Sequence, residues 1–344
     1  MSTIYITEQD VSFQIQHRYL KVFYQQKQRI SIPIRNLSQF IIFGNINLSK
    51  EVLEIIRLHR IPTLYLTQSG EYLGRLENTS ELPAKYLTYQ RRRARDKEFN
   101  RATAESIIWA KLHNQHTFLQ SWTRHHANYT TERALNYLTL LMENLPLAPG
   151  IEELREYSEE ADNIYSCAIA SLLSLYNGSV FTTAKRTSEL INLGKELLHQ
   201  YTYTLLNSAG LNPNYGILHR DGNYELPLAW DFTAEFCAPI VDDLVLYFVR
   251  NLTNTNGNGK NHSQKLLQKF LQHWEAKLRT FVLHPYAGEV SYRQCLDLQV
   301  REYLACLLGE VEFYRPLALK FRPANSDFIN TIEPQTVPLK LVKR

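Results

Sequence analysis

The stretch RISIPIRNLSQFIIFGNINLSKEVLEIIRLHRIPTLYLTQSGEYLGRL, residues 29–76, decides the fold, because its period changes twice. RISIPI, FIIFG and TLYLT are short runs rich in β-branched and aromatic residues between polar breaks, the pattern of strands. Between the second and third lies LSKEVLEIIRLHR. There Val52, Leu53, Ile55, Ile56 and Leu58 recur at helical spacing behind Ser49, a suitable N-cap. GEYLGR closes the stretch as a turn and a last strand. Upstream, TIYIT, VSFQIQ and YLKVFY read as strands too. Residues 1–82 therefore predict a small β-sandwich domain with one helix.

Beyond residue 85 the period becomes helical. KYLTYQRRRARDKEFNRATAESIIWAKL, ERALNYLTLLMENL, LREYSEEADNIYSCAIASLLSLY, SELINLGKELLHQYTYTLLNSAG, APIVDDLVLYFVRNL, HSQKLLQKFLQHWEAKLRTFVL and YRQCLDLQVREYLACLLGEVEFY all repeat apolar residues at helical intervals. Strands in one block and helices in the next predict an α+β multidomain chain, its all-α second domain larger than the first. The expected divisions are a β domain at 1–82, a basic linker and first helix at 83–102, a helical domain at 103–322 and a tail at 323–344. NLTNTNGNGKNHS, between two helical stretches, reads as a polar loop.

A chain of 344 residues with 44% hydrophobic residues can fill two cores. No run approaches the ~20 apolar residues that cross a bilayer, and MSTIYITEQDVSFQIQ does not have the form of a signal peptide, so no membrane partner is expected. Cys167, Cys237, Cys295 and Cys306 fall at no metal-ligand spacing and read as buried free thiols of a cytoplasmic protein. The net charge of +4 permits a polyanionic partner without arguing for one. Locally, Lys85, Arg91, Arg92, Arg93, Arg95, Lys97 and Arg101 crowd the entry to the second domain. Such a run suits phosphate neutralisation, and equally a solvated linker helix. Lys265, Lys269, Lys277 and Arg279, spread over helical turns, read as plain surface.

The order of landmarks carries a resemblance. Residues 29–76 resemble the N-terminal β domain of the CRISPR-associated endonuclease–integrase family, Cas1, which inserts new spacers into CRISPR arrays. AGLNPNYGILH, LPLAWDFTAEFCAPIVDDLVLYFV and YRQCLDLQVREYLACLLGEVEFYRPLAL follow in the order of the family's helical domain. The resemblance implies a homodimer formed through the β domains, a dimer of a small CRISPR-associated partner, DNA as substrate, and a Mg or Mn ion in the helical domain. It tilts the basic run, Arg91, Arg92, Arg93, Arg95 and Lys97 above all, towards DNA. A hard divalent ion favours carboxylate oxygens, tolerates a histidine nitrogen, and stabilises charge on a transferring phosphodiester.

In that family the ion is held at three places, and only one keeps its ligand here. His219, closing YGILH, matches the family histidine and is the expected catalytic and metal residue. The helix glutamate that precedes a tyrosine by seven residues falls on Ser158, with Tyr165 as the tyrosine. The acid three residues after Asp231 falls on Ala234. Glu159 and Glu235 are the adjacent acids, each turned by ~100° from the position it would have to replace. Ser188, Lys195 and Cys237 also depart from the family's residues, and a lysine at 195 can supply part of an absent ion's charge. The expectation is a DNA-binding chain whose metal-dependent chemistry is lost or impaired. The alternative is an active nuclease whose site has shifted onto Glu159, Asp231 and Glu235 with His219.

Overall fold

The computed structural model describes residues 2–76, 85–124, 128–175, 184–219, 224–252 and 260–319. Most of the polar loop at 251–263 and the expected tail at 323–344 lie outside these residues. The described residues form two compact units, one drawn from 2–76 and 260–275, the other from 85–252 and 276–319.

The first unit holds β1 (Ser2–Ile6), β2 (Val11–Gln16), β3 (Tyr19–Tyr24), β4 (Lys27–Pro33), β5 (Leu37–Phe43), α1 (Lys50–Leu58), β6 (Thr63–Leu66) and β7 (Tyr72–Leu76). One sheet has the order β1-β5-β6-β7, parallel except for the last pair; the other is the antiparallel β2-β3-β4. Ile4, Ile6, Val22, Ile32, Phe40 and Ile42 from the two sheets, with Val52 and Ile56 from α1, share one core. The sandwich with one helix follows from that shared face. β5 is buried on both faces, so it reads as the continuous apolar run FIIF. The two hairpins of the second sheet turn at His17–Arg18 and Gln25–Gln26, all four with positive φ. Residues 260–275 also belong to this unit: Gln268 donates to Glu8 Oε1 at 2.7 Å, and Tyr5 donates to Glu275 at 2.7 Å.

The second unit holds α2 (Leu87–Arg93), α3 (Lys97–Thr123), α4 (Tyr129–Asn144), α5 (Ile151–Ser174), α6 (Ala184–Ala209), α7 (Pro227–Phe236) and α8 (Asp243–Leu252). There follow α9 (Lys260–Arg279), whose last turn lies here, the hairpin β8 (Phe281–His284) and β9 (Gly288–Ser291), and α10 (Tyr292–Leu308). α3 is the central helix, burying Ile107, Ile108, Leu112, Phe118 and Leu119 together with the polar Lys111 and Asn114. Among the described residues no helix is long and apolar enough to cross a membrane.

Four details differ from the sequence reading. The first helical stretch is two helices, because Asp96 caps a new one by accepting the Phe99 N–H at 3.1 Å. RTFVLHPYAGEVS ends α9 and turns into a hairpin, so the second domain is not wholly helical. Its Phe281, Val282 and Leu283 had prolonged a helical pattern, but Thr280 and the β-branched Val282 start a strand instead. All four cysteines are free, yet Cys167 is exposed and Cys237 only partly covered. Lys277 is not plain surface: its ammonium pairs with buried Asp243 and lies 5.0 Å from the Tyr292 ring centroid.

Between α7 and α8 the chain makes a π-helical turn, Cys237–Asp242, in which the Asp243 N–H reaches back five residues to the Ala238 carbonyl. Pro239 has no N–H to continue the α-helical ladder, which accounts for the change of pitch. α6 packs closely against this turn at Gly194, where a Cβ would stand 2.6 Å from Val241 Cγ1.

Candidate functional site

Asp231 organises the loop that ends in His219. Fully buried on α7, it accepts the Ile217 N–H at 2.6 Å on one carboxylate oxygen. The other oxygen accepts the His219 N–H at 2.9 Å and ring Nδ1 at 2.8 Å. That second bond puts the ring proton on Nδ1, fixes the imidazole's direction, and leaves Nε2 as its remaining polar atom. From α5, Arg155 holds the same loop, donating to the Leu218 carbonyl at 2.7 Å and the Ile217 carbonyl at 2.9 Å. Gly216 is needed where the loop passes α7, since a Cβ there would sit 2.4 Å from the His219 carbonyl oxygen.

Aromatic rings wall the histidine. Tyr224 meets its ring edge-on at 4.7 Å, and Trp230, near Tyr224, stacks on the buried His199 of α6 at 4.2 Å. Leu226, just before Pro227, takes a left-handed conformation with φ 54°, costly for a branched side chain. Its carbonyl accepts the Ala229 N–H at 2.9 Å, so the strained residue sets the start of α7.

Ser158 lies one turn beyond Arg155 on α5 and is buried. Its hydroxyl accepts from the Lys111 ammonium at 2.8 Å, its carbonyl from the same nitrogen at 3.3 Å, and Asp162 completes the set at 2.6 Å. Three N–H groups thus meet three acceptors, and the ammonium sits directly against Ser158. Further along, Tyr165 donates to Asp242 at 2.8 Å. Burial pushes the Asp242 carboxyl up to about 6, against Lys195 and the Tyr165 bond, which hold it down. Burial raises the Cys237 thiol to about 12, so it stays protonated.

Asp231 and Glu235 are one helical turn apart, yet their carboxylates serve different partners. Glu235 is fully buried and accepts from Tyr314 at 2.6 Å, the Leu317 N–H at 3.3 Å and Gln299 at 3.5 Å. Burial raises its carboxyl to about 8 despite those three donors. It thereby fastens the segment after α10 to the core, and Asn114 does the same by bonding the backbone of Leu317 and Leu319. Ala234 offers no ligand atom. Glu159 and Glu160 are exposed, and Glu160 accepts from Tyr137 at 3.0 Å. Among the described residues, no three His, Cys, Asp or Glu side chains gather so as to share an ion.

The basic run separates into two sets. Arg93 is anchored: it bonds Asp96 at 3.1 Å and the Leu307 carbonyl at 3.5 Å, and lies 4.7 Å from the Phe99 ring centroid. Arg101 is anchored as well, to the Ala148 carbonyl at 2.9 Å and to Glu105 at 3.3 Å. Lys85, Arg91, Arg92, Arg95 and Lys97 are exposed. Arg91 donates to the Tyr215 hydroxyl at 3.1 Å, which sets the exposed basic face beside the loop carrying His219.

Sandwich unit, helical unit and histidine loop together define a class, and comparison with known proteins agrees with it. The family model described as CRISPR associated protein Cas1 matches residues 4–276, so the chain belongs to that family. A CRISPR-associated endonuclease Cas1 of Thermus thermophilus is 25% identical over 343 residues, covering 93% of this chain and 98% of the relative. Among solved structures, a casposase bound to integration product superposes with TM-score 0.72 at 18% identity, over 96% of this chain and 97% of that one. A Cas6-RT-Cas1–Cas2 complex gives TM-score 0.75 at 17% identity, over 93% of this chain and 36% of that one. At such identities the superpositions establish the fold alone.

A hard divalent ion, which the family implies, does not suit the donors present. Both Asp231 oxygens are engaged by N–H groups, Ser158 faces an ammonium, Ala234 has no donor, and Glu235 is tied to Tyr314. Among His219, Ser158 and Ala234, His219 Nε2 remains as the one ligand atom, and a hard ion requires several oxygens.

Proposed function

We propose that this chain works in CRISPR spacer acquisition as a DNA-binding member of its family that does not cut or join DNA at His219. One observation carries the reading. At the position matching the family glutamate stands Ser158, whose hydroxyl accepts from the Lys111 ammonium that also pairs with Asp162, so this position offers no carboxylate oxygen to an ion. Binding DNA needs no ion: Arg91, Arg92, Arg95 and Lys97 form an exposed basic face beside the histidine loop, fit for phosphate contacts independent of sequence. A second copy of the chain, paired through the sandwich unit, and a small partner like that named in the Cas1–Cas2 complex complete the assembly. The shift of ligands onto Glu159 and Glu235 has no support in the placement of Glu235, whose carboxylate is bonded to Tyr314, Gln299 and Leu317.

The test incubates the purified chain with end-labelled branched DNA across a Mn²⁺ series and follows binding and nicking in the same samples. Retained binding with no nicking is the expected result. Metal-dependent nicking that disappears in His219→Ala overturns the reading.

A further inference from the structure

We infer that the outer edge of β8 is an interface for a second copy of this chain, paired strand to strand about a two-fold axis and separate from the sandwich-unit pairing proposed above. β8 and β9 form a two-stranded sheet of their own, so among the described residues no strand covers the far side of β8. The ladder fixes which backbone groups face that side. Phe281 stands opposite Ser291 and Leu283 opposite Glu289, and the Tyr292 N–H donates to the Thr280 carbonyl at 3.1 Å. Antiparallel pairs alternate between bonded and unbonded, so residues 280, 282 and 284 bond towards β9, while the N–H and C=O groups of Phe281 and Leu283 face away from it. On β9 the outward Ser291 N–H is satisfied by Gln294 Oε1 at 2.8 Å; those of Phe281 and Leu283 have no partner among the described residues. Their side chains are uncovered as well, Phe281 being 63% and Leu283 47% exposed. Edge strands are commonly guarded by a lysine, a proline or a bulge. FVLH holds neither residue, and its register runs without a shift.

The occupant follows from self-complementarity. A second β8 laid antiparallel about Val282 brings outward backbone to outward backbone: Phe281 meets the partner's Leu283, and Leu283 meets the partner's Phe281, each pair exchanging both bonds. The same register sets an aromatic ring against a branched aliphatic side chain twice, a favourable cross-strand pair. From Thr280 to Gly288 there is no Lys, Arg, Asp or Glu, so the two copies oppose no like charges.

The register supplies the test. Val282 would sit on the two-fold axis, its Cα about 4.5 Å from the partner's, within reach of a disulfide. Val282→Cys is compared with Tyr286→Cys, an exposed control at the turn, both in the full chain with the exposed Cys167 replaced by serine, under mild oxidation on non-reducing gels. Light scattering over a concentration series of the wild type and of Phe281→Asp/Leu283→Asp gives a second readout. Both replaced side chains are exposed, so the aspartate variant is expected to fold. Val282→Cys should form a reducible covalent dimer at least about tenfold faster than Tyr286→Cys. The aspartates, which would bring like charges together across the edge, should halve the mass of the largest species at concentrations where the wild type assembles. If Val282→Cys links no faster than the control, or if the aspartate variant assembles as the wild type does, the inference fails and the edge takes another protein or none. Neither result bears on the functional reading above, which the DNA nicking assay tests separately.

Discussion

The division of the basic run into exposed and anchored arginines makes a quantitative prediction about DNA binding. Arg91, Arg92 and Arg95 are exposed on and just after α2, whereas the Arg93 guanidinium is committed to Asp96, the Phe99 ring and the Leu307 carbonyl. Each phosphate neutralised by a cation contributes about 0.9 to the slope of log K against log salt. Replacing the three exposed arginines with alanine should flatten that slope by about 2.7. Between 50 and 200 mM salt, the wild type would then lose roughly 40-fold more affinity than the triple variant. Fluorescence anisotropy with labelled branched DNA at four salt concentrations measures both slopes. Arg93→Ala is the control. It should keep the wild-type slope and instead cost on the order of 1 kcal/mol of stability, because it removes a partly exposed ion pair and a ring contact. An unchanged slope in the triple variant, or an equal flattening in Arg93→Ala, refutes the separation.

Three further outcomes follow from the site itself. Glu235, raised to about 8 in the folded chain, keeps a proton that the unfolded chain has lost, so its contribution is present below the ordinary carboxylate pKa and is lost as pH rises through about 8. Stability should fall between pH 5 and 9, and Glu235→Gln should remove a part of that fall on the order of 4 kcal/mol. Asp231→Ala should destabilise the fold by roughly 3–5 kcal/mol, since it strips the acceptor from three N–H groups, and hydrogen exchange at Ile217 and His219 should rise sharply. Gly216→Ala should disturb the same loop, because the added methyl meets backbone that cannot move aside; an unchanged Tm would show the loop to be looser than its packing implies.

The sandwich was legible because its strands carry their pattern locally: alternation in VSFQIQ, and the unbroken FIIF of a strand buried on both faces. The break before α3 was also on the page as Asp96, an N-cap residue that the surrounding charge run concealed. The β8–β9 hairpin was not legible, since Phe281, Val282 and Leu283 extend the helical apolar pattern of α9 until a turn at 285–287 reverses the chain. Site residues divide in the same way. His219, Ser158 and Ala234 were singled out only through the resemblance of ordered landmarks. Lys111 and Arg155 could not be singled out, because a charged residue within a helix reads as solvated until helices distant in sequence close over it. Helical spacing puts Asp231 and Glu235 on one face, but partners from the 217–219 loop and from the segment after α10 draw their carboxylates apart.

The claim that His219 stands without a hard cation is tested most directly by counting strand breaks in branched DNA as Mn²⁺ is raised, with His219→Ala alongside. The account predicts no breaks above the metal-only background for either protein, while both continue to bind the DNA. Breaks that increase with Mn²⁺ in the wild type and vanish in His219→Ala would contradict it.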